Sequence, residues 1–162
     1  MTSFSSDIPT TAIQRRLIIT GIILGMGHAG FFDGIVFHQL LQWHHMFSNV
    51  KTDATVAGLE LNTIGDGLFH LLDWFLLSVG IVLLWQLAKQ QVQLSTQTFL
   101  GAGLLGFGLF NVFEGLIDHQ ILGIHHVKSG PNELAYDIGF LIIGVLIAAI
   151  GWMVLRKSQK TA

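Results

Sequence analysis

The stretch GFFDGIVFHQLLQWHH, residues 30–45, sets Asp33, His38, His44 and His45 into otherwise apolar sequence. Eighty-one residues later NVFEGLIDHQILGIHH, residues 111–126, presents Glu114, Asp118, His119, His125 and His126. Two further segments carry His70 with Asp73 and Glu133 with Asp137. Carboxylates and neutral imidazoles without any thiolate suit Fe, Mn or Zn, and Cu(II) where imidazoles dominate. The expectation is one transition-metal site, mono- or binuclear, built mainly from Asp33, His38, His70, Asp73, Glu114, His119 and Asp137. His44, His45, Asp118, His125 and His126 would stand at its outer mouth as loading, supporting or additional ligands.

The cost of these groups makes the same point. Asp33, Asp73, Glu114, Asp118 and Asp137 lie in segments that hold no Lys or Arg. A lone charge at the bilayer centre costs at least ~2.5–3.5 kcal/mol. Protonation, a protonated His or a bound cation must therefore compensate. Three other readings stay open on sequence. His38 and His119 could be axial ligands of a b-type haem, the acids and imidazoles could line a proton or ion pathway, or they could simply bond one another and hold the helices together. No nucleophilic triad is visible, and the Gly-x-Gly patterns follow no strand, so no nucleotide cradle is implied. Redox chemistry, metal-assisted hydrolysis and metal handling for a respiratory or other membrane complex all fit such a site, and the residues do not choose among them. His28 has no counterpart in the second stretch and is expected to bond a neighbouring backbone carbonyl or Asn111.

The elements that must position these groups are helices. Four segments, about 17–41, 68–87, 99–124 and 134–155, are apolar around the whole helix circumference. Each is close to the ~20 residues that cross a bilayer, and none shows the polar stripe of a soluble bundle. Charged residues make up only 11% of the 162, against 51% apolar. The expected fold is all-α: a polytopic membrane four-helix bundle, one domain over 1–162, with the lipid bilayer as its surroundings. A net charge of −2 without a basic block argues against nucleic acid. The absence of cysteine removes disulfides and thiolate chemistry. The polar N-terminus shows no cleavage pattern of a removed signal peptide.

Arg15, Arg16, Lys89, Arg156, Lys157 and Lys160 flank one side of the spans, leaving Lys51 and Lys128 on the other. By the positive-inside rule both termini are cytoplasmic, in a multi-pass protein of a bacterial inner membrane, and the His-rich ends face outward. At about 1.5 Å per residue, Asp33 stands roughly 25 Å above Arg16, Asp73 roughly 24 Å from Lys89, and Asp137 roughly 28 Å from Arg156. With Glu114 matched to Asp33, all four spans would place one carboxylate at a common level of the outer leaflet.

The two His-rich stretches also read as copies. Between 25–45 and 106–126 nine of twenty-one positions are identical, among them His38/His119, Gln39/Gln120, His44/His125 and His45/His126. An offset of 64 aligns Asp73 with Asp137 and Gly80 with Gly144 more weakly. The chain is thus expected to be two parallel helical-hairpin repeats related by a pseudo-two-fold along the membrane normal. Gly21, Gly25, Gly27, Gly30 and Gly34, with Gly101, Gly106, Gly108 and Gly115, let helices approach closely in lipid. They also leave room for a homo-oligomer. The segment 47–67 is a candidate lid.

At GFFDGIVFHQLLQWHH, GDGLFHLLDW and FEGLIDHQILGIHH the chain resembles a bacterial family of small predicted membrane proteins, domain of unknown function 2243. The similarity runs from about Arg15 to Lys157. It implies an integral membrane protein of four helices and carries no activity and no ligand assignment.

Overall fold

The computed structural model describes residues 10–160, which contain four long helices and no strand. The first nine residues and the last two of the single domain expected over 1–162 lie outside the described residues. The helices are α1 (Thr10–Asp33), α2 (Val56–Ala88), α3 (Thr96–Glu114) and α4 (Glu133–Lys160). Their lipid-facing surfaces are what all-round apolarity requires: Leu68, Leu71, Phe75 and Ile81 of α2 and Ile142, Ile143 and Leu146 of α4 are exposed. Four stretches, Thr11–Leu40, Val56–Ala88, Thr96–Ile121 and Glu133–Gln159, are long and apolar enough to cross a membrane.

Glycines set the packing. Gly25 of α1 lies against the backbone of Gly103, and Gly106 of α3 against that of Ile22. Contacts advance in step along both helices, from Gly21 against Phe99 and Ala102 to Gly25 against Gly103 and Phe107, so α1 and α3 run parallel. Toward α2 the sense reverses: Gly27 meets Asp73 and Leu77, while Gly34 meets His70. On the other flank Gly101 meets Leu155, Gly108 meets Ala148, and Gly115 meets Leu141. The antiparallel hairpins α1–α2 and α3–α4 therefore join mainly through α1 against α3, and α2 reaches α3 through side chains, Phe69 against Phe110 with centroids 6.0 Å apart. The glycines expected to favour an oligomer are spent on these contacts inside the chain.

Two boundaries differ from the expected spans, each with a local cause. Thr55 caps α2, its hydroxyl accepting from the Gly58 N–H at 3.2 Å. The helix therefore begins twelve residues before Leu68, and the second half of the 47–67 segment is helix. Asn62, fully buried, fastens the preceding connection: its side chain accepts from the Phe47 N–H and donates to the Lys51 carbonyl, at 2.8 and 2.9 Å. At their C-terminal ends α1 and α3 widen into π-helical segments, Gly34–Leu40 and Gly115–Ile121. There the Leu41 and Leu122 N–H groups donate to Val36 and Ile117, both at 2.8 Å. Gln42 and Gly123 then take left-handed conformations, φ 49° and 56°, and the chain folds back on itself. A left-handed residue is free for glycine and costs Gln42 of the order of 1 kcal/mol. Wide turns of this kind concentrate at functional sites.

Candidate metal centre

The return of the chain carries His44 and His125 inward. Asp33 ends α1 and Glu114 ends α3, while His38 and His119 project from the π-helical segments that follow. All six side chains are buried, none more than 4% exposed. The Nε2 atoms of His38 and His44 lie 3.1 and 4.0 Å from Asp33 Oδ2, and those of His119 and His125 lie 3.5 and 3.6 Å from Glu114 Oε1. The His44 and His125 rings stack 4.7 Å apart at an angle of 4°, bringing the two halves into one cluster. Donor atoms of His38, His44 and His125 lie within 4.8 Å of one another, as do those of Glu114, His119 and His125. Ligands about 2.1 Å from one ion stand roughly 3–3.5 Å apart, so modest closure brings either group to a coordination sphere. Both groups are geometrically able to hold a metal ion.

The other ring nitrogens say which atoms face inward as donors of a lone pair. His44 Nδ1 donates to the Val127 carbonyl at 2.8 Å, and His125 Nδ1 donates to the Met46 carbonyl at 3.0 Å. A carbonyl only accepts, so Nδ1 carries a proton in both rings, and in a neutral ring Nε2 is then the atom with the lone pair. His38 Nδ1 bonds Asp66 Oδ1 at 2.8 Å, and His119 Nδ1 faces Asp137 Oδ1 at 3.6 Å. Carboxylates and carbonyls behind the far nitrogen are the usual supports of metal-bound imidazoles. Beyond these contacts with one another, no hydrogen-bond partner among the described residues reaches the four Nε2 atoms or the oxygens of Asp33 and Glu114. Eight inward atoms that seek a cation are collected in one buried place, with no Lys or Arg to meet them.

Asp66 and Asp137 occupy corresponding places, though His119 stands farther from its carboxylate than His38 does. Asp66 also bonds His45 Nδ1 at 2.6 Å and accepts from the Met46 N–H at 2.8 Å. Asp137 bonds His126 Nδ1 at 2.6 Å and accepts from the Val127 N–H at 2.9 Å. Gln39 and Gln120 donate to the same two carboxylates. His45 and His126 thus belong to the carboxylate supports and not to the inner cluster. Burial, and after it the neighbouring imidazoles of His38 and His125, push the His44 ring down from 6.5 to about 2. His44 is therefore held neutral, the form that binds metal.

Of the seven principal ligands expected from sequence, Asp33, His38, Glu114 and His119 meet in the cluster. Asp137 stands behind His119, and Asp66, which the sequence reading passed over, stands behind His38. The common level expected for Asp73 and Asp137 is not observed, because α2 begins early and its register puts Asp66 opposite His38. The offset that aligns these helices is 71, matching Asp66 with Asp137, Phe69 with Phe140 and Gly80 with Gly151. Asp73 lies deeper, pressed against Gly30, with both oxygens unpartnered among the described residues and His70 Nδ1 3.8 Å away. His44 and His125, expected at the outer mouth, are inside. Asp118 lies beside the cluster on the wall of a cavity between α2 and α3. His28 bonds the Leu24 carbonyl at 2.7 Å and is remote from the site. His44 and His125 each lie against both His38 and His119, with centroids 4.3 to 6.1 Å apart. Their rings fill the space a porphyrin would need between His38 and His119.

The profile of the DUF2243 family, described as a predicted membrane protein, matches residues 20–158. No curated protein and no solved structure matches the chain.

Proposed function

The chain belongs to the DUF2243 family of predicted membrane proteins, and from that premise we propose that it carries a binuclear transition-metal centre for redox chemistry. One ion is held by Asp33, His38 and His44, the other by Glu114, His119 and His125. The observation that carries this reading is the convergence of four Nε2 atoms on two buried carboxylates, with no Lys or Arg among them. Two imidazoles and one carboxylate per ion leave coordination positions open, the donor set of non-haem iron oxidation chemistry. Hydrolysis is less well served, since the six ligands are sealed from water in apolar surroundings. The contacts of residues 33–46, made again by 114–127, support reading the chain as two parallel hairpin repeats that contribute half a centre each. The basic residues at one end support cytoplasmic termini, an outward-facing centre and an inner-membrane location.

Elemental analysis of detergent-purified protein, with an optical spectrum, tests the proposal. Wild type is expected to hold about two first-row transition ions per chain, and His44→Ala or His125→Ala to lose most of them. Full loading attempts that leave wild type with only traces of metal would overturn it, as would a Soret band.

A further inference from the structure

Helices α2 and α3 both pack on α1 while their backbones stay apart, and beside the contact of Phe69 with Phe110, centroids 6.0 Å apart, lies a cavity of about 390 Å3. Leu68 and Leu72 of α2 and Phe113 of α3 line it and are exposed on the lipid-facing surface, so its mouth opens sideways into the bilayer. Phe110 and Phe69 supply aromatic walls. Glu114, 4% exposed and facing His119 and His125 at 3.5 and 3.6 Å, is part of the lining, and Asp118 joins it. The cavity therefore connects the hydrocarbon region to one carboxylate of the metal cluster.

On the opposite flank large side chains stand at the matching positions. The positions matching Asp118, Ile124 and Gly65 are Phe37, Trp43 and Tyr136, at the offsets of 81 and 71. Phe37 packs on Trp43 and Phe140 with centroids 5.5 and 6.4 Å apart, and Trp43 packs on Tyr136 at 5.7 Å. Three large rings close one side, where the other offers Asp, Ile and Gly. Two halves that agree in their ligands differ in whether lipid can reach them.

The lining selects the occupant. Two carboxylates repel fatty acids and phospholipid phosphates, while the apolar walls penalise a strongly hydrated cation. What fits is a neutral aromatic amphiphile whose hydroxyls donate to carboxylate oxygens. We propose that the α2–α3 cavity binds a lipid-dissolved hydroquinone, with a ring hydroxyl donating to Glu114 or Asp118. The choice of an electron-rich ligand rests on the redox reading of the centre above; the binding itself does not require the metal.

The test uses the full chain in phospholipid nanodiscs, with its metal content measured in the same samples. A photoreactive azido-hydroquinone is the probe, mapped by mass spectrometry. Labelling is expected at 65–72 and 110–118, competed by decylhydroquinone but not by decanoic acid or decyl phosphate. Leu72→Trp fills the cavity and should cut labelling roughly tenfold, whereas Leu71→Trp, on the lipid-facing surface outside it, should not. Both variants place a large side chain in lipid contact, so the fold tolerates them. Asp118→Leu should weaken competition by decylhydroquinone. Labelling spread over all lipid-facing helices, equal competition by decanoic acid, or wild-type labelling of Leu72→Trp would each overturn the proposal. Specific labelling of metal-free protein would leave the cavity standing while the metal centre fell; metal-loaded protein without labelling would do the reverse.

Discussion

At the scale of single residues, the cluster depends on how each imidazole is held from behind. Asp66 and Asp137 each gather two histidines, a glutamine and a backbone N–H. Neither carboxylate touches the place where a metal would sit. Asp66→Asn is therefore expected to weaken metal affinity about 10–100-fold while leaving all six ligands present, measured by competition with a chelator of known strength. Unchanged affinity would show that Asp66 only fastens the loop. Acid should act through His44. Its folded-state value, about 2, lies below the ordinary 6.5, so between these two the unfolded chain binds a proton that the folded chain refuses. The stabilisation is complete above 6.5 and is lost as pH falls below it, by at most about 1.4 kcal/mol per pH unit. The metal-free protein should therefore melt at a constant temperature above pH 7 and at progressively lower temperatures below 6.5. A His44→Gln variant should show a shallower fall.

At the scale of helices, the two hairpins solve one packing problem in opposite ways. On one flank Gly30 makes room for Asp73; on the other Gly144 makes room for Asn111. These are matching positions, since Gly30 aligns with Asn111 at the offset of 81 and Asp73 with Gly144 at 71. Gly30→Asn alone should strain the α1–α2 contact by about 1–3 kcal/mol. Adding Asp73→Gly should recover much of that loss, because the pair then copies the arrangement already present between α3 and α4. Thermal melts of both single variants and the double variant in detergent give the coupling directly; strict additivity would mean the two sites are independent. On the proposed repeat, the exchange accounts for the weaker match between α2 and α4. The shared positions of α2 and α4 are few, and Asp73, the most conspicuous acid of α2, has glycine as its counterpart.

At the scale of the whole molecule, the four spans and their parallel hairpin pairing were legible because an apolar circumference and paired polar residues are properties of sequence alone. The full ligand set was not. A helix running through Leu41 would carry His44 onto another face, and nothing in QLLQWHH announces that Gln42 takes a left-handed turn. Asp66 was hidden for a different reason: VAGLELNTIGDG is polar and glycine-rich, so it reads as a loop until burial of Asn62 and Asp66 makes it helix. The orientation remains a matter of charge. A green fluorescent protein fused after Ala162 should glow, and alkaline phosphatase fused there should be inactive; the reverse pattern would put the His-rich end inside the cell.

The crossed bonds between the halves bear on biogenesis. His44 is aimed by the carbonyl of Val127, and His125 by that of Met46, so each loop supplies the other's support. While the ribosome is still making the second hairpin, the first lacks the group that orients one of its imidazoles. In the proposed centre, capture of the ion that His44 holds would then follow insertion of all four helices.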